Sequence, residues 1–109
     1  MANFIFLYKG PATDMSEMTE EQSKKVLEAW KVWIERVGDD LVEVGAPMLP
    51  GVSVVDDGSA GEPGLLNGYS IVKASNMEEA KKFTEGHPFL SETTGIFSID
   101  VYELAPIPM

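Results

Sequence analysis

Cysteine is absent from all 109 residues, which excludes disulfides, thiolate metal ligands and a cysteine nucleophile. Basic side chains are scarce: eight Lys and Arg stand against 18 Asp and Glu, giving a formal net charge of -10. A surface of that sign repels phosphate backbones and anionic lipid headgroups, so neither nucleic acid nor a membrane is an expected partner. No apolar run approaches the roughly 20 residues that a membrane helix needs, and the first residues show no basic stretch ahead of an apolar core. No span or secretory signal is therefore expected, and the expected compartment is the cytoplasm. A phosphate-cradling glycine motif, a metal-binding histidine pair and a nucleophile elbow are also missing, so no cofactor or metal is expected.

What is present describes a soluble globular chain, 44% hydrophobic and 24% charged, long enough for a single domain over residues 1–109. Asn3-Phe-Ile-Phe-Leu-Tyr-Lys9, stopped by Gly10-Pro11, reads as a strand with two apolar faces. Thr19-Glu-Glu-Gln22 fits a capping box and opens a helix over about residues 20–37, with Val26, Leu27, Trp30, Trp33, Ile34 and Val37 as its apolar stripe and Gly38 as its end. Leu41–Gly45 reads as a second strand, which Val52–Val55 extends after an irregular break, inside a loop-rich region from Ala46 to Gly68. Gly68–Ala74 is the third strand. Asn76-Met-Glu-Glu79 caps a short helix that Gly86 and Pro88 end, and the last strand runs within Gly95–Leu104.

The order strand, helix, strand, strand, helix, strand predicts an α+β fold, a ferredoxin-like βαββαβ sandwich with antiparallel sheet order 4-1-3-2 and both helices on one face. In the first strand Phe4, Phe6 and Tyr8 alternate with Ile5 and Leu7, so the face away from the helices is apolar too. A second copy related by a two-fold axis is the expected cover, making a homodimer whose sheets face each other across a barrel-like interior.

His87 is the only side chain with an ordinary pKa near neutrality, the first choice for a general acid or base. Its place just beyond a helix end fits donation to the last carbonyls of that helix better. On the last strand, Phe97, Ile99 and Val101 are expected towards the helices, leaving Ser98, Asp100 and Tyr102 on the open face beside Tyr8. There Asp100 and His87 are the candidate catalytic pair, with Tyr8, Ser98 and Tyr102 as ligand contacts. Trp30 and Trp33 fit a core at helical spacing better than a platform for a flat ligand. Asp39-Asp40 and Asp56-Asp57-Gly58 lack the spacing of a calcium loop and fit turns.

The glycine-aromatic strand Gly68-Tyr-Ser-Ile-Val-Lys-Ala74, the Asn76-Met-Glu-Glu-Ala80 helix, the turn Gly86-His-Pro-Phe-Leu90 and the strand Gly95-Ile-Phe-Ser-Ile-Asp-Val-Tyr-Glu-Leu104 resemble the second half of YCII-related proteins, including their DGPF-type branch. Phe4-Ile-Phe-Leu-Tyr8 and Glu43-Val-Gly45 agree in order and spacing. The resemblance implies a dimeric α+β barrel. It does not carry over the family's His-acid dyad, because Lys9-Gly-Pro-Ala-Thr-Asp14 has no histidine, and Gly61-Glu-Pro-Gly64 stands in the region of the Asp-Gly-Pro-Phe motif. The expected role is small-molecule binding or accessory metabolism in an inter-subunit cleft. The alternatives are a cofactor-independent enzyme for proton transfer or hydrolysis using Asp100 and His87, and an acidic protein-interaction module.

Overall fold

The computed structural model describes residues 1–11 and 19–106. The end of the Lys9–Asp14 loop lies outside them. Six strands and two helices follow in the order β1 (Ala2–Lys9), α1 (Glu20–Val37), β2 (Leu41–Glu43), β3 (Ser53–Val54), β4 (Ala60–Gly61), β5 (Leu66–Ala74), α2 (Met77–Lys82) and β6 (Ser98–Leu104). Short 3-10 turns at Gly38–Asp40 and Pro88–Leu90 complete it.

The local chemistry that starts and stops these elements is simple. Thr19 accepts the Gln22 amide while the Gln22 side chain accepts the Thr19 amide, so two orphan donors at the start of α1 are satisfied reciprocally. Gly38, at a positive φ of 62°, ends α1 with its N–H on the Ile34 carbonyl. Asn76 caps α2 through the Glu79 amide at 2.9 Å.

β2, β5, β1 and β6 form one antiparallel sheet in that spatial order. Phe4, Phe6 and Tyr8 of β1 are buried with Val72 and Ala74 of β5, Trp33 and Val37 of α1 and Ala80 of α2. This is the core, and it occupies one face of the sheet. Two expectations change here. Val52–Val55 does not extend β2: Ser53-Val54 pairs with Ala60-Gly61 in a separate hairpin, because β-branched residues suit any pleated pair and their composition does not name a partner. The apolar stripe of α1 packs against the core only from Trp30 to Val37: Val26 and Leu27, though at helical spacing with it, find no core residue to cover them among the described residues and stay exposed.

Candidate functional site

Register decides which side chains can meet. Tyr8 lies opposite Gly68 and Ile99, whereas Leu7 lies opposite Tyr69 and Asp100, and Ile5 opposite Ile71 and Tyr102. Directly opposed residues in an antiparallel pair share a face. Tyr8 therefore stands on the helix side, and Asp100, Tyr102 and Ser98 on the other. This corrects the expectation that Tyr8 lies beside Asp100. Period-two alternation along β1, which sets Tyr8 with Phe4 and Phe6, already carried that separation.

On the helix side the structure builds a closed polar run inside aromatic packing. The Phe89 N–H donates to His87 Nδ1 at 3.0 Å, and His87 Nε2 lies 3.2 Å from the Tyr8 hydroxyl. Tyr8 donates to Ser70 Oγ at 2.7 Å, and Ser70 donates to the Val44 carbonyl at 2.6 Å. The two ends fix every proton between them. Nδ1 accepts, so the neutral ring carries its proton on Nε2 and gives it to Tyr8, while the Val44 carbonyl can only accept. Gly45 lets the chain approach: at φ 83°, a Cβ there would fall 1.7 Å from the Tyr69 carbonyl oxygen. Trp30, Trp33 and Phe89 surround the pair, with ring centroids 4.9 Å and 4.4 Å from His87 for the two tryptophans and 5.1 Å from Tyr8 for Phe89. Both tryptophans thus serve the core.

Burial dominates the electrostatics of this cluster. It pulls the His87 pKa from its ordinary value down to about 3, with the nearby Arg36 guanidinium adding to the fall. It pushes the Tyr8 phenol up to about 12. His87 is therefore a neutral, fully bonded part of the interior. Its ring does not cap the carbonyls of α2, as its sequence position allowed. The Phe83 carbonyl near that end is taken instead by Trp33 Nε1 at 2.8 Å and Arg36 Nη2 at 2.9 Å. Sequence reasoning missed Ser70, whose only signal was a small polar residue at an inward position of an apolar strand.

On the opposite side, Ile5, Leu7 and Ile71 form a half-buried aliphatic floor. Polar groups bracket it. Lys9 pairs with Asp100 at 3.1 Å, and the Tyr69 hydroxyl donates to Glu43 at 2.5 Å, which raises the Tyr69 pKa. Tyr102 and Ser98 are exposed at the same level, and Lys9 and Ser98 continue into an open groove of about 560 Å³ with Pro11, Leu65 and Ile96. The structure thus brings Asp100, Ser98 and Tyr102 together and unites Tyr8 with His87, but it separates the two sets by the thickness of the sheet. Elsewhere, the Asp57 carboxylate is engaged by the Ser59 amide and hydroxyl, a turn arrangement that lowers its pKa.

No protein-family profile and no curated protein matches the chain. Among solved structures, the fold is similar to 5-chloro-2-hydroxyhydroquinone dehydrochlorinase (TftG) from Burkholderia phenoliruptrix AC1100, in complex with 2,5-dihydroxybenzoquinone. The TM-score is 0.55 and the identity 19%, over 94% of this chain and 93% of that one. At that identity the likeness is one of fold. The YCII-related resemblance rests on the sequence motifs.

Proposed function

We propose that the chain is a small-molecule-binding homodimer of the α+β barrel type, in which two open sheet faces enclose a cleft between subunits. One observation carries this reading: the aliphatic floor of Ile5, Leu7 and Ile71 is bracketed by Lys9–Asp100, Tyr69–Glu43 and Tyr102. An apolar floor with a few convergent polar groups is the usual composition of a small-molecule site. The fold neighbour's complex with 2,5-dihydroxybenzoquinone supports such use of this architecture without carrying its activity across. Tyr102 and Ser98 are the ligand contacts in this reading, and Asp100 supplies the polar anchor. Tyr8 acts behind the floor, as part of the scaffold.

The test has two stages. Sedimentation at micromolar concentration should give a dimer, and a monomer overturns the reading. Nuclear magnetic resonance of the dimer with a set of planar organic fragments should then shift signals of Leu7, Ile71 and Tyr102. Shifts confined to other surfaces overturn ligand binding in the cleft. A second reading, proton transfer by Asp100, is favoured by the placement of its carboxylate on the same floor, held by Lys9. His87 has no part in it, being sealed on the other side.

A further inference from the structure

The segment between β2 and β5 has few ties to the rest of the described residues. Its base is fixed by the Met48 N–H on the Asn67 carbonyl at 2.9 Å, the Pro47–Gly68 bridge and the Gly10 N–H on the Leu65 carbonyl at 3.0 Å. Beyond that base, among the described residues, β3 and β4 pair with each other alone, two residues to a strand. The tip closes on itself through Val55 and Ser59. An isolated two-stranded hairpin is at best marginally stable in water, and this one is shorter than most. Its side chains are also ill-suited to solvent: Leu49, Val52 and Val54 are 86%, 88% and 79% exposed.

We propose that this hairpin is an arm that lies on a second copy of the chain, over the groove at the rim of that copy's open face. The inference rests on the dimer reading above and adds which segment closes the cleft. Area favours a second copy as the occupant. Ile5, Leu7 and Ile71 are already half-buried, so these three withdraw little surface when two faces oppose each other. Each exposed aliphatic side chain that is buried withdraws roughly 60–120 Å². Three such residues on each of two symmetry-related arms, with an equal area on the surfaces they cover, come to on the order of 1,000 Å², which with the faces reaches the range of specific interfaces. An unrelated partner would meet one arm and about half that area. Charge agrees. Residues 46–65 carry Asp56, Asp57 and Glu62 with no Lys or Arg, whereas the groove of Pro11, Leu65, Ile96 and Ser98 is lined by Lys9 and, among the described residues, by no acidic side chain, although Lys9 is shared with Asp100.

The experiment is sedimentation of wild type, Leu7→Asp, and a double variant with Val52→Asp and Val54→Asp. Both arm positions are exposed, so the protomer should keep its circular dichroism while its dimer dissociation constant rises by at least about 100-fold. A wild-type monomer overturns this proposal together with the dimer reading. A dimer that Leu7→Asp breaks and the arm variant leaves intact overturns the arm alone. A second readout is independent of affinity: with no native cysteine, a nitroxide on Val54→Cys is a unique label. It should be immobilised in the dimer, and a label as mobile there as in a free peptide overturns the arm.

Discussion

The two faces of the four-stranded sheet are made from alternate residues of the same strands, yet their polar atoms are used in opposite ways. On the helix side, Tyr8, Ser70 and His87 are buried, and among the described residues no buried side-chain polar atom lacks a partner. On the other side, Lys9, Asp100 and Tyr102 keep contact with water and retain capacity for further bonds. A histidine and a tyrosine within hydrogen-bond reach are not in themselves a reactive pair. A closed run with every proton assigned is structure, whereas an incompletely bonded carboxylate over an apolar floor can still receive a ligand.

The largest effect that would break the contrast is on the closed face. Trp33→Ala should cost about 3–5 kcal/mol, since it opens a cavity beside Phe6 and His87 and removes one donor from the Phe83 carbonyl. Urea unfolding measures it, and a loss below about 1 kcal/mol would show that this face is loosely packed.

Next comes acid. With its folded pKa pulled below the ordinary 6.5 to about 3, His87 stays neutral in the folded chain while the unfolded chain takes up a proton. Stability should therefore be fully present above pH 6.5 and fall as pH drops, with a limiting slope of about 1.4 kcal/mol per pH unit until about pH 3. Because this is the only histidine and carboxylates titrate mainly below that range, a loss of about 1.5–2 kcal/mol between pH 7 and pH 5 belongs to it. A flat profile in urea unfolding would place the ring in water.

The smallest effect sharpens the contrast from the other side. Asp100→Asn should change stability by less than about 1 kcal/mol, because its pair with Lys9 is partly exposed and screened by salt. Ligand affinity or turnover in the cleft should fall in the same variant. A stability loss of several kcal/mol would mean that the open face is packed like the closed one.

Much of the framework was legible because its signals are local. Thr19 with Gln22, Gly38 and Asn76 announce helix ends through contacts a few residues apart, and the alternation of Phe4, Phe6 and Tyr8 names a core face. The site was less legible because its contacts are distant. Nothing near His87 in sequence states that its partner is Tyr8, and nothing near Ser70 states that it bonds the Val44 carbonyl. Val52–Val55 failed for a related reason: a strand-forming run says how it will pleat but not what it will pair with.

The polar run also constrains when the molecule can be finished. Its links join residues 79, 62 and 26 positions apart, so Tyr8, made well before His87, must wait for it to leave the ribosome before its hydroxyl is fully bonded. Contacts of that separation close late, after the loops between them have been gathered. Interactions that form after the folding barrier slow unfolding more than they speed folding. Closing the run last would make it a latch on the completed sheet, one that holds the native chain without helping to find it.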